Sequence, residues 1–182
     1  NPLSLYIHIP YCLHKCGYCD FNSFKVDSTE TEAYRNALFR EMEHYAKKDD
    51  HSVTTIFLGG GTPTILPASY LEQILEKCRK LFKVSPDCEI SIEANPATIR
   101  SGYLKKLRAA GYNRISIGVQ SFNERALKQL ERVHTLNEVY LTVKRAREAG
   151  FDNLSLDLMF ALPGQTATEW EDSLKQAIDL RP

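Results

Sequence analysis

No stretch of this 182-residue chain stays apolar for anything near the roughly 20 residues that a membrane span needs. Its first residues carry no secretory leader pattern either. Basic runs are also missing: no run of Lys and Arg reaches five residues, and 23 basic residues balance 23 acidic ones. A formal charge of zero argues against a broad phosphate-binding face, and so against nucleic acid as a partner, while leaving room for a local basic groove. The cysteines number five, an odd count, and a chain of this length buries a core without staples, so a disulfide framework is not expected. Free thiols without an export signal imply a reducing, cytoplasmic setting. What remains is ordinary for one soluble globular domain, 43% apolar and 25% charged. The chain opens at Asn1 and stops at Pro182 just past a helical pattern, and it is expected to be a piece of a longer protein.

What is present is concentrated. Cys12, Cys16 and Cys19 fall within eight residues, directly after the apolar run SLYIHIPY, with the spacing C-x₃-C-x₂-C. Thiolates are soft ligands, suited to iron–sulfur clusters or to zinc. A cubane cluster has four irons and usually takes four cysteines, so three local ones leave one iron open to a small molecule. A structural zinc site would need a fourth ligand, with His8 and His14 nearest, although common zinc patterns pair their cysteines differently. Unliganded thiols are the third possibility. Cys78 sits on the helical stripe Leu71, Ile74, Leu75, Cys78, Leu81 and Phe82, and is expected in the core, as is Cys88.

Short β-rich runs alternate with longer helical patterns. The spacing predicts strands over 5–9, 54–60, 89–95, 114–120 and 153–162, and helices near 30–48, 68–82, 98–110, 136–149 and 168–180. Thr29 with Glu32, and Thr168 with Glu171, have capping-box spacing. Gly111 and Gly150 each follow a helical stripe and suit the left-handed position beyond a helix end. A weak repeat aligns RAAGYNRISIGV from Arg108 with REAGFDNLSLDL from Arg147, an offset of 39 residues, as in successive units of a parallel sheet or barrel.

Along the later strands one face is consistently polar. Ser116, Gly118 and Gln120 oppose Ile115, Ile117 and Val119; Ser155, Asp157 and Met159 oppose Leu154, Leu156 and Leu158; Glu89, Ser91, Glu93 and Asn95 oppose Ile90, Ile92 and Ala94. An open parallel sheet covered by helices should be apolar on both faces. The pattern instead predicts an α/β partial barrel of the TIM-like type, with helices outside and a polar interior. Sites in such barrels lie at the C-terminal ends of the strands, where Cys12, Gly60, Glu93, Gln120 and Asp157 converge on one rim. The second strand ends in GGGTPT, which lets a ligand approach the backbone closely but is neither a Walker loop nor a dinucleotide fingerprint. Glu93 has the placement to accept hydrogen bonds, and Arg132 is of a type suited to a carboxylate.

Taken together, YIHIPYCLHKCGYCDF, GGGTPT, IEANP, GVQSF and DLMFALPGQT resemble, over essentially the whole chain, the oxygen-independent coproporphyrinogen III oxidase family of radical S-adenosylmethionine (SAM) proteins. The resemblance implies a radical SAM core domain over 1–182, with five parallel strands here of an expected six and a further C-terminal domain. It implies a [4Fe–4S] cluster on Cys12, Cys16 and Cys19. Tyr6, Gly60 and Glu93 match family positions that contact cluster-bound SAM. Tyr18, Gly61, Thr62, Gln120, Arg132 and Asp157 match positions contacting SAM or a second SAM molecule. In family chemistry an electron donor reduces the cluster and SAM is cleaved to a 5′-deoxyadenosyl radical. That radical takes hydrogen from a substrate propionate, which becomes a vinyl group. No protein general acid or base is implied.

One position departs from the oxidases, which resemble one another in carrying a fourth cysteine two residues after the third. Here it is Phe21, in Cys19-Asp20-Phe21-Asn22. That form resembles the haem chaperone branch, whose members bind haem and deliver it to acceptor proteins. Haem, or failing that a porphyrinogen, is therefore the expected cargo or substrate. An RNA-acting radical SAM enzyme ranks behind both, and a zinc module is the alternative from another class.

Overall fold

The computed structural model describes residues 2–27, 29–47 and 51–182. In chain order it contains β1 (Leu3–Ile9), β2 (Tyr11–Cys12), β3 (Phe24–Lys25), α1 (Thr31–Ala46), β4 (Ser52–Gly60), α2 (Ala68–Leu81), β5 (Lys83–Ala94), α3 (Tyr103–Ala110), β6 (Arg114–Gln120), α4 (Glu124–Gln129), α5 (Leu136–Glu148), β7 (Asn153–Leu158) and α6 (Ala167–Asp179). The main sheet has the order β1-β4-β5-β6-β7, parallel throughout. It is a partial barrel with β1 and β7 at its edges. No helix among the described residues is long and apolar enough to cross a membrane.

Alternation decides which way each strand faces. Ile90, Ile92, Ile115, Ile117, Val119 and Leu154 are buried under the helices, where they meet the α2 stripe of Leu71, Ile74, Leu75 and Cys78. Leu156 and Leu158 pack against that core while remaining partly open. Cys88 is buried beside them, so both remaining cysteines are core residues. The opposite face carries polar side chains that bond one another across the strands. Arg114 donates to Ser91 and Ser155, each at 3.2 Å, and Ser116 donates to Asp157 at 2.8 Å.

The 39-residue repeat is visible in the contacts. Gly111 and Gly150 have φ of 113° and 88°. Beyond each glycine, Tyr112 and Phe151 donate N–H groups to the carbonyls of Leu107 and Ala146, the wide loop of a Schellman-type helix end. In both copies the arginine opening the motif reaches the carbonyl four residues on, Arg108 to Tyr112 and Arg147 to Phe151.

Several boundaries differ from expectation. β5 begins at Lys83 rather than 89, because its first residues pair with Ser52 and Val53 before the register breaks and resumes at Thr55 opposite Glu89. β7 ends at Leu158 rather than 162, since Ala161 turns the chain at φ 57°. The stretch expected as a helix from 98 opens instead with a 3-10 turn at Pro96–Thr98, capped by the Asn95 side chain, and α3 starts only after Gly102 at φ 74°. α1 covers Thr31–Ala46, and Lys48, expected as its last residue, lies outside the described residues. Thr29 does not cap α1; its hydroxyl donates to Asp27, and the cap position is Glu30, without a side-chain bond. The box on α6 is Thr166 with Glu169, not Thr168 with Glu171, and a further box, Thr135 with Glu138, starts α5. α4 had no signal in the pattern.

His134, between α4 and α5, is buried at 3% exposure and donates from Nε2 to the Val119 carbonyl at 3.1 Å. Burial first, and the Arg132 charge second, push its pKa down to about 4 from an ordinary 6.5.

Thr166→Ala is expected to cost about 0.5–2 kcal/mol in denaturant unfolding, and Thr168→Ala nothing measurable; equal costs would contradict the cap assignment. His134 sets a second expectation. The unfolded chain binds its proton at a higher pH than the folded chain. This contribution to stability is therefore complete above pH 6.5 and lost as pH falls toward 4, on the order of 3 kcal/mol in all. His134→Gln should flatten that slope in denaturant titrations, and an unchanged slope would remove His134 as its cause.

Candidate functional site

The cysteine loop hangs between two short strands, with Tyr11 opposite Phe24 and Cys12 opposite Lys25. Its start is stitched to the glycine-rich end of β4: Gly61 donates to the Ile9 carbonyl and Thr62 to the Tyr11 carbonyl, each at 2.7 Å. Only glycine permits this. A Cβ on Gly61 would stand 2.7 Å from the Tyr11 oxygen and 3.0 Å from Cys12 Sγ. The return limb is held by Phe24 N–H on Pro10 and Val26 N–H on Cys12, both at 2.9 Å. Within the loop Cys19 N–H closes a turn onto the Cys16 carbonyl at 3.0 Å, and Lys15 Nζ reaches Ser23 Oγ at 3.0 Å.

The three half-buried thiols open into one cavity of about 520 Å³, with Tyr18, Gly60, Gly61, Thr62, Glu93, Gln120, Arg132 and Asp157 on its walls. That volume lies in the usual range of roughly 300–1,000 Å³ for small-molecule sites. Every residue singled out from the sequence for this site lines the cavity except Tyr6. The Tyr6 hydroxyl bonds His8 Nδ1 at 3.0 Å, and its ring stacks on Phe57 at 6.1 Å. Tyr6 therefore lines a separate cavity of about 230 Å³ between β1 and α1. Phe57, Arg114, Ser116, Gly118 and Met159 join the main cavity. Strand alternation had placed Ser116, Gly118 and Met159 on the polar face without giving them a role.

Donor chemistry distinguishes what the loop could hold. His8 and His14, the nearest candidates for a fourth zinc ligand, are both engaged. His8 Nε2 donates to the Asn22 carbonyl at 2.7 Å, and His14 Nε2 donates to Glu131 at 3.0 Å. Among the described residues no three His, Cys, Asp or Glu side chains are gathered around a single-ion position. The donor set is three soft sulfurs on one loop, which fits a cluster better than tetrahedral zinc. The Thr62 hydroxyl lies 3.7 Å from Cys12 Sγ and the Glu131 carbonyl 3.8 Å from Cys16 Sγ, two polar neighbours for sulfur.

Beyond the thiols the walls carry charged groups of both signs. Glu93 accepts the Gly60 N–H at 3.0 Å. Burial raises its pKa, the Gly60 bond opposes that rise, and Asp157 adds to it. Asp157 is likewise raised by burial, against the Ser116 hydrogen bond and the charges of Arg114 and Arg132. Arg132 donates from Nη2 to the Gly118 carbonyl at 2.9 Å and from Nη1 to the Tyr18 hydroxyl at 3.5 Å. Its Nε is buried with no partner among the described residues. Gln120 stands at φ 68° where the β6–β7 register shifts, a strained backbone of the kind that gathers at ligand sites.

Replacing any one of Cys12, Cys16 and Cys19 by Ala is expected to abolish the visible sulfur-to-iron absorption of anaerobically reconstituted protein. Cys78→Ala should leave that absorption intact and lower stability through packing alone. A full signal in Cys16→Ala would remove that residue from the ligand set.

Comparison with known proteins gives a consistent placement. The sequence profile of the radical SAM superfamily matches residues 6–177. Over 179 residues the chain is 45% identical to the heme chaperone HemW of Bacillus subtilis (strain 168), covering 97% of this chain and 47% of that protein. It is 42% identical over 183 residues to HemW of Escherichia coli (strain K12), covering 100% and 48%. The chain thus spans about half the length of the curated relatives it matches. Among solved structures it is similar to the coproporphyrinogen III oxidase HemN of Escherichia coli, described as a radical SAM enzyme, with a TM-score of 0.92 and 36% identity over 100% of this chain and 42% of that one. Methylornithine synthase (PylB) shares the fold alone, at a TM-score of 0.66 and 15% identity. With that profile running along nearly all of its length, this chain belongs to the radical SAM superfamily, a family whose membership implies SAM and a [4Fe–4S] cluster.

Proposed function

We propose that this domain holds a [4Fe–4S] cluster on Cys12, Cys16 and Cys19 with SAM beside it, and that the protein containing it is a haem chaperone. In this reading it binds haem in the cytoplasm and passes it to an acceptor protein, with an electron donor serving the cluster. The observation that carries the choice is Phe21. It lines the cavity and is 65% exposed, at the position where the oxidases resemble one another in having a cysteine. The named chaperones at 45% and 42% identity support the same branch.

When bound, the cluster and SAM supply one-electron chemistry; the chain's own residues bind and orient. Three thiolates would hold such a cluster with one iron short of a cysteine, and His14 on the same loop is engaged by Glu131. Glu93 is placed to accept from hydroxyl or amino groups, and the glycine run lets a ligand lie against the backbone of β4. Arg132 brings a guanidinium, a group suited to a carboxylate, whose Nε has no partner among the described residues. Tyr18, Gly61, Thr62, Gln120 and Asp157 complete the wall, whether for one SAM molecule or two. The cysteine loop lines one side of the cavity, and orienting the bound group is the protein's usual part in cofactor chemistry.

Coproporphyrinogen dehydrogenation is the second reading, favoured by the TM-score of 0.92 to the HemN structure. A side chain of phenylalanine offers neither a redox group nor a hydrogen bond where a thiol would help orient substrate or end a radical. Because Phe21 is no cluster ligand in this reading, cluster assembly and SAM binding need not suffer.

The expected result for full-length, anaerobically reconstituted protein is saturable haem binding with little or no conversion of coproporphyrinogen III to vinyl product under reducing conditions. A haem titration read in the Soret band, beside product analysis, checks both. Robust vinyl formation without haem binding would move the chain to the oxidase branch.

A further inference from the structure

The link between α4 and α5 contains a backbone outlier that the site described so far does not use. Glu131 stands at φ 54°, a left-handed conformation that side chains with a Cβ rarely adopt. Its backbone is set by the end of α4, where Glu131 N–H donates to the Lys128 carbonyl at 3.0 Å and Arg132 N–H to the Leu127 carbonyl at 2.9 Å, a Schellman-type end. Its side chain and carbonyl turn to the cysteine loop. Glu131 Oε2 accepts from His14 Nε2 at 3.0 Å and from the Gly17 backbone N–H at 3.2 Å. The Glu131 carbonyl faces Cys16 Sγ at 3.8 Å. The next residue, Arg132, reaches Tyr18 on the same loop. Space is matched as well: a Cβ on Gly17 would stand 3.1 Å from Glu131 Oε1, so the carboxylate approaches a backbone that glycine leaves bare.

We propose that Glu131 is a positioning residue: its carboxylate clasps the loop at His14 and Gly17, presenting Cys16 and Cys19 to the cluster and keeping them from releasing it. The inference rests on the reading that the three cysteines hold a cluster. It adds a residue outside the cysteine motif that retains the cluster without ligating it. His14 then serves as the clasp's second point rather than as a metal ligand. Groups that orient metal ligands from outside the coordination sphere commonly matter by about 10–100-fold in metal retention.

The test separates the clasp from general stability, because Glu131→Gly removes the carboxylate and also relieves the left-handed strain. In the full chain this variant should keep or raise its thermal midpoint. Its reconstituted cluster should be lost to an iron chelator on the order of 10-fold faster than wild type, followed anaerobically in the visible spectrum. Glu131→Gln keeps an acceptor for Gly17 and should be rescued to an intermediate rate. In cluster-free protein, hydrogen exchange at the Gly17 amide should speed up in Glu131→Gly and much less in Glu131→Gln. Unchanged chelation and unchanged Gly17 exchange in Glu131→Gly would overturn the clasp. So would faster loss that merely follows a falling thermal midpoint in both variants. If wild-type protein forms no cluster at all, the cysteine reading fails, and Gly17 exchange alone decides whether the carboxylate holds the loop.

Discussion

Two backbone segments meet at the C-terminal end of the sheet, closer than any side chain would permit, and what lies above depends on that contact. The N–H groups of Gly61 and Thr62 fall on the carbonyls of Ile9 and Tyr11, and the space a Cβ would fill at Gly61 is taken by the Tyr11 oxygen and Cys12 sulfur. Each such bond contributes only about 0.5–1.5 kcal/mol net. Their importance is positional. They fix where the chain leaves β1, hence where Cys12 emerges, and they let β2 and β3 pair across the base of the loop. Without them Cys16 and Cys19 would sit on a long excursion held to the barrel mainly by side chains, Glu131 on one flank and His8, bonded to the Asn22 carbonyl, on the other.

The polar interior is the second consequence of a parallel sheet curved this way. Helices cover the outer face, so the inner face must satisfy its own donors and acceptors. It does so laterally: Glu89, Ser91, Arg114, Ser155, Ser116 and Asp157 form a chain of hydrogen bonds across three strands. Burial works against ionisation of Glu93 and Asp157, and the arginines work against burial for Asp157. The floor is therefore built from groups already satisfied. The rim holds those with capacity to spare, Arg132 above all.

Much of this was legible because strand alternation has a period of two and leaves little freedom once one face is buried. Ile115, Ile117 and Val119 announced the core face, and with it the cavity side of Ser116, Gly118 and Gln120. Capping was less legible. Thr166 and Thr168 both have Glu three residues on, and only the turn through Ala161 and Gly164 decides which of them starts the helix. Tyr6 shares the polar face by parity, yet its hydroxyl is taken by His8 before it can reach the loop. Glu131 was invisible: its left-handed backbone closes α4, a helix without a signal in the pattern, and the partners of its carboxylate lie on a loop more than a hundred residues earlier.

The internal repeat meets the register at a telling place. Its offset of 39 residues is also the pairing offset of β6 and β7, so Ile115 lies beside Leu154, Ser116 beside Ser155 and Ile117 beside Leu156. Two halves of similar sequence thus stand shoulder to shoulder at equal height, like with like, down to the Ser116–Ser155 hydrogen bond of 2.8 Å. One step higher the likeness stops, with Gly118 against Asp157. The glycine's open side leaves room for the Gln120 amide, which a Cβ would meet at 3.0 Å, while the Arg132 guanidinium bonds the Gly118 carbonyl. Its neighbour supplies a carboxylate at the same level. Two aspartates there would set like charges side by side; two glycines would leave the cavity without an acid on that wall. A tandem copy can build a lopsided site only by breaking its own symmetry, and this barrel breaks it at the height where a ligand would begin to notice.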